Sequence, residues 1–186
     1  MKLISFLFFQ LIAFSAGASS IDLLPLQSQF RYEDTAVQSK ELVSYQGFAL
    51  AYQLESSRIG IALSRSHQDK TGNSSFSIEA KKSEFLVSGG YQIFHIEGAE
   101  QKLTLDIYGQ GVLGVTQSEV TTNLLGSTTS NKSEQTLVGG AGASVVGRWK
   151  FLFTGIDFQV LTSSAFSPQF ISAATFNFIG FQIPLN

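Results

Sequence analysis

The chain has no cysteine. Disulfides, thiolate metal sites, a cysteine nucleophile and a lipid-modified N-terminal cysteine are therefore excluded. Charge is sparse as well. Lys, Arg, Asp and Glu make up 14% of the 186 residues, and the net charge is -2. So little charge is unusual for a soluble domain, and without a basic excess no nucleic-acid partner is expected. Tryptophan and methionine each occur once, and proline three times. The only histidines are His67 and His95, which leaves little for a metal centre or a histidine-based catalytic set.

Against these shortages stand 17 Phe and 17 Gly. Aromatic residues favour pleated surfaces, and glycine allows close packing against strand backbones. Residues 1–18 read as a secretory signal. Lys2 gives the positive start, 3–14 form an apolar run, and Ala16-Gly17-Ala18 supplies small residues before a cut ahead of Ser19. The expected division is a signal peptide over 1–18 and one β domain over 19–186.

After Ser19 the recurring signal is alternation with a period of two. Strands are expected near 24–36, 42–55, 58–66, 84–96, 102–117, 135–149, 152–160 and 169–183. In the first, Leu24, Leu26, Phe30 and Tyr32 oppose Gln27, Gln29, Arg31 and Glu33. In the second, Phe48, Leu50, Tyr52 and Leu54 oppose Gly47, Ala49, Ala51 and Gln53. Phe76, Ile78 and Ala80 extend the hairpin that precedes the fourth. The polar stretches 66–75 and 118–134 have loop composition and are the expected places for contact with a surface partner. The last 29 residues carry no charge, but Pro168 and Pro184 bound the apolar part to about 15 residues. That is short for a membrane helix of about 20 residues and ample for a tilted strand.

Eight strands with alternately short and long connections give the expected fold: an all-β, eight-stranded antiparallel up-and-down transmembrane barrel. On most strands one face is large and apolar, the other small or polar. Lipid must take the apolar face, because Arg or Lys at the bilayer midplane costs roughly 2–4 kcal/mol. Closure follows from the cost of unpaired backbone groups in hydrocarbon. The lumen is then expected to hold a polar network of Arg31, Glu33, Arg58, Asp106, Tyr108, Arg148 and Asp157 that plugs it. Arg31 and Asp157 are expected at similar depth; Arg58, Arg148 and Asp106 should cluster lower. Tyr32, Tyr45, Tyr91 and Trp149 are expected at the membrane interfaces. Arg65, Lys70, Lys81, Lys82 and Lys132 lie in or near the outer loops, within reach of lipopolysaccharide.

The pattern resembles the small bacterial outer-membrane barrels, namely the OmpA transmembrane domain, OmpX and their relatives. Phe176-Asn177-Phe178-Ile179-Gly180-Phe181 is similar to the aromatic final strand that the barrel-assembly machinery reads in that family. The chain departs from it by continuing through Pro184-Leu185-Asn186. The resemblance implies residence in the outer membrane of a Gram-negative cell, with outer-membrane lipid, lipopolysaccharide and an unknown surface partner around it. It implies no cofactor.

Gly109-Gln110-Gly111-Val112-Leu113-Gly114 spells a dinucleotide-binding fingerprint, but no helix start follows it, and the glycines read as barrel packing. The spacing of the two histidines suggests no oriented acid partner, so no enzyme is expected. The leading functional expectation is a structural or surface-interaction role. A narrow channel or carrier for small molecules, and a secreted lipocalin-like binder, are the alternatives.

Overall fold

The computed structural model describes residues 18–33, 41–71, 76–98, 103–164, 166 and 169–185. Of the expected signal segment only Ala18 falls among them. Among the described residues nine strands follow one another: β1 (Ala18–Glu33), β2 (Glu41–Leu54), β3 (Ser57–Thr71), β4 (Phe76–Glu97), β5 (Leu103–Leu124), β6 (Ser127–Lys132), β7 (Thr136–Trp149), β8 (Leu152–Thr162) and β9 (Phe170–Pro184). Each pairs antiparallel with its neighbours. The order β4-β3-β2-β1-β9-β8-β7-β5, with β4 also paired to β5, closes a ring of eight strands. β6 stands outside that ring and pairs only with the far end of β5. The charge-poor C-terminal segment is β9, a strand, as its prolines imply.

Tight turns close one end of the ring, at Glu55-Ser56 and Lys150-Phe151. Lys150 takes a positive φ of 57° to make its turn. The opposite end carries the seven-residue connections 34–40 and 163–169. Because side chains alternate, two unlike faces result. Leu63, Phe85, Leu113, Leu137, Phe158, Val160 and Phe178 are exposed on the outside. Tyr45, Gln53, Tyr108, Val138, Asp157 and Thr175 are buried inside.

Two glycines show why small residues are required on the inner wall. A Cβ at Gly47 would lie 1.9 Å from the Leu63 carbonyl oxygen, and one at Gly142 1.9 Å from that of Phe158. Neighbouring backbones there approach too closely for any side chain.

The structure changes several details of the sequence reading. Leu24 faces inward and is buried, because the β1 register shifts between Leu24 and Gln27. This bulge at Pro25-Leu26 resets the alternation, and a simple parity count cannot see it. The lumen is also less polar than expected. Leu86, Val112, Val138, Leu161, Phe166 and Ile171 form one internal apolar cluster, and Leu24, Val146 and Phe153 join a second. A narrow closed barrel needs volume as well as polarity, and bulky side chains fill the space that small wall residues leave. Finally, much of the two polar stretches is strand. β3 runs on to Thr71, β5 runs to Leu124, and β6 occupies 127–132.

Candidate functional site

The inward side chains form two ionic clusters, one near each end of the barrel. At the long-loop end, Arg31 of β1 reaches across to Glu84 of β4. Its Nη1 donates to Glu84 Oε1 at 2.6 Å, its Nη2 donates to Oε2, and both side chains are fully buried. The Arg31 guanidinium stacks 4.4 Å from the centre of the Tyr45 ring. Tyr45 Oη donates to Glu33 Oε1 at 2.6 Å, and Lys82 Nζ lies 3.0 Å from Glu33 Oε2. Planar guanidinium suits both jobs at once, a two-pronged carboxylate contact and an aromatic stack.

At the tight-turn end Arg148 is the hub. Its Nη1 donates to Asp106 Oδ2 and to Tyr108 Oη at 3.3 Å. Its Nη2 donates to Gln53 Oε1 at 3.1 Å and to Asp22 Oδ2 at 3.4 Å. Arg58 Nε lies 3.3 Å from the same Asp22 oxygen. Tyr108 Oη donates to Gln53 Oε1 at 3.1 Å, and Gln92 Nε2 to Asp106 Oδ1 at 2.6 Å. Six barrel strands are joined this way through side chains alone. Such pairs add little net stability over an apolar core, but breaking one leaves a buried charge and costs about 3–5 kcal/mol.

Asp157 belongs to neither cluster. It is buried on β8 and accepts a 3.1 Å hydrogen bond from Asn177 Nδ2. Its β9 register partner, Thr175, lies two residues from Ala173, the partner of Arg31. Arg31 nevertheless pairs with Glu84, and no ion pair joins it to Asp157.

Of the expected interface aromatics, Tyr32, Tyr91 and Trp149 are exposed on the outer face. Tyr45 is not: it has no exposure at all and sits in the lumen. Its alternation with Gly47, Ala49 and Ala51 places it inside, where its hydroxyl finds Glu33 instead of lipid headgroups. Lys82 also turns inward, whereas Lys81 lies beside Glu79 and Lys132 beside Glu119. The side chain of Lys70 lies outside the described residues. His95 has the acid neighbours that spacing did not reveal, with Nδ1 2.5 Å from Asp106 Oδ1 and Nε2 3.3 Å from Glu97 Oε1.

Sequence reasoning missed Asp22 and Glu84. Asp22 precedes the first clear alternation, just after the signal segment. Glu84 has the inward parity of Leu86 and Ser88, and that parity was the signal available.

Beyond the barrel, β3 to β6 continue as a four-stranded sheet. β4 and β5 have 22 residues each. At about 3.3 Å per residue such strands far exceed a hydrocarbon core of about 30 Å, even when tilted. The binary pattern inverts where this sheet leaves the barrel. Cross-strand partners share a face, and the outer rows read His67-Lys81-Glu119-Lys132 and Glu79-Thr121-Ser130. Every member is polar. On the inner side of the same strands are Phe76, Ile78, Ala80, Val120 and Leu124. Nearer the turns, the outer row Leu63-Phe85-Val115-Leu137 is wholly apolar. The change from apolar to polar outside faces marks the limit of the lipid-facing belt.

No family model and no curated protein matches the sequence. Solved structures do match the fold. The attachment invasion locus protein Ail of Yersinia pestis superposes with a TM-score of 0.59 at 14% identity, covering 90% of this chain and 99% of that one. Ail in complex with the heparin analogue sucrose octasulfate gives a TM-score of 0.59 at 13% identity, over 88% and 97%. Neisserial surface protein A gives 0.53 at 10% identity, over 90% and 98%. With the closed ring, the apolar belt and the enclosed charges, these likenesses show that the chain has the fold of a small eight-stranded outer-membrane β-barrel.

Proposed function

We propose that this chain is a non-enzymatic outer-membrane protein of the Gram-negative cell surface, exported behind a signal segment that ends at Ala18. The barrel-assembly machinery inserts it, and outer-membrane lipid with lipopolysaccharide surrounds it. Its lumen is closed, and the sheet of β3 to β6 meets surface partners. The single observation that carries this reading is the inversion of faces, apolar outside along the belt and polar outside beyond it. A sheet built for water on its outer face is suited to stand beyond the bilayer, and rigid scaffolds commonly present contacts from such extensions. One similar structure is a complex with a heparin analogue, which supports an anionic saccharide as one class of partner. Arg65, exposed on the outer face, is placed to meet one. The ionic clusters at both ends of the lumen argue against the channel reading.

The cysteine-free sequence makes the test direct. Asn123→Cys, near the far tip of β5, should react with a membrane-impermeant maleimide on intact cells. Lys150→Cys, at a tight turn, should react only after lysis. Reversed labelling, or recovery of the protein in a soluble fraction, rejects the reading.

A further inference from the structure

Between the two ionic clusters lies an internal cavity of about 50 Å³. Gln29, Gln159, Asp157 and Asn177 line it from β1, β8 and β9, with Arg58 and Gln110 also on the wall. Asp157 is 7% exposed, Gln29 5% and Asn177 2%. Each has a buried oxygen without a hydrogen-bond partner: Asp157 Oδ1, Gln29 Oε1 and Asn177 Oδ1, joined by Gln159 Oε1. Buried acceptors are rarely left unserved, and four around one cavity call for donors or a cation inside it.

Charge points the same way. Among the described residues the inward carboxylates are Asp22, Glu33, Glu84, Asp106 and Asp157. The inward cations are Arg31, Arg58, Lys82 and Arg148, and each lies beside one of the first four acids. Among the described residues no cation lies within ion-pair distance of Asp157, and Arg58, on the cavity wall, is held by Asp22. His95 faces Asp106 at the tight-turn end. One negative charge is left over, deep in the lumen, where a lone charge is too costly to persist.

We propose that this cavity is a binding site for one monovalent cation of sodium-like hardness, held by the Asp157 carboxylate and the amide oxygens of Gln29, Asn177 and Gln159. Oxygen donors suit hard cations. One carboxylate among neutral oxygens matches a single positive charge, whereas a divalent ion would leave a surplus. A proton on Asp157 neutralises the charge but, donated from Oδ1 to one amide oxygen, serves two of the four at most. The Gln110 Nε2 group is an unpaired donor on the same wall, and it can serve only a share of the four. A bound cation answers both deficits at once. The inference goes beyond the surface role and is independent of which end of the barrel faces outward.

The test uses the full chain folded in detergent, with unfolding followed in sodium chloride and in choline chloride at equal ionic strength. Saturating sodium should raise the midpoint by roughly 5 °C over choline. Asp157→Asn should abolish that difference, and Gln29→Leu should shift the sodium response to higher concentration. The proposal is overturned if sodium and choline act alike on the unaltered protein, or if Asp157→Asn keeps the sodium response. Should Asp157→Asn fail to fold, the sodium-23 line width of the unaltered protein decides. Broadening that excess potassium reverses supports the site, and a free-ion line width rejects it.

Discussion

Arg31 and Glu84, 53 residues apart in sequence, meet inside the barrel through a two-pronged contact with both side chains withdrawn from solvent. They join β1 to β4 across the lumen, although these strands are separated along the wall by β2 and β3. A tie of this kind is worth most when only one end of it is removed.

Glu84→Ala should therefore destabilise the barrel by about 3–5 kcal/mol, because the Arg31 guanidinium is left buried and uncompensated. Replacing both, as Arg31→Met with Glu84→Leu, should recover much of that loss. Denaturant unfolding of Arg31→Met, Glu84→Leu and the double variant, arranged as a cycle, measures the difference. A double variant as unstable as the sum of the singles would contradict the pairing.

Tyr45→Phe removes the hydroxyl that serves Glu33 and should cost about 1–3 kcal/mol. Tyr91→Phe alters an exposed ring on the outer face and should cost under about 0.5 kcal/mol. Equal effects in an unfolding titration would show that Tyr45 does not depend on its lumen partner.

Two glycine substitutions separate wall packing from mere flexibility. Gly142→Ala drives a Cβ into the Phe158 carbonyl and should prevent formation of the heat-sensitive folded band on a gel. At Gly111 nothing lies within 4 Å of a new Cβ, so Gly111→Ala should fold normally.

The limit of the lipid belt can be measured with arginine. Leu113→Arg, at an exposed position inside the belt, should cost roughly 2–4 kcal/mol in lipid vesicles. Thr121→Arg, on the polar outer row of the same strand, should lie within about 0.5 kcal/mol of the unaltered protein. If both cost the same, the belt extends further than the inversion of faces implies.

Strand type, strand number in the ring and the sidedness of most strands were legible in the sequence, since alternation repeats every two residues and lipid tolerates only one face. The same signal failed where its premise failed. In 66–71 and 118–124 the outside of the sheet is polar, so the alternation that betrays a lipid-facing strand is missing and the segments look like loops. Tyr45 was legible by parity, but its ring chemistry pointed to an interface. Leu24 was hidden by a bulge.

Composition and local order thus determined that this chain forms strands, that they close, and that the charges along the apolar belt turn inward. Only the tertiary structure decided which charges meet. Pairing across a lumen depends on strand tilt, on the registers of non-adjacent strands and on bulges that reset alternation. None of these leaves a mark at fixed spacing, so Arg31 with Glu84, the Asp22 junction and the unmatched Asp157 emerge once the ring is closed.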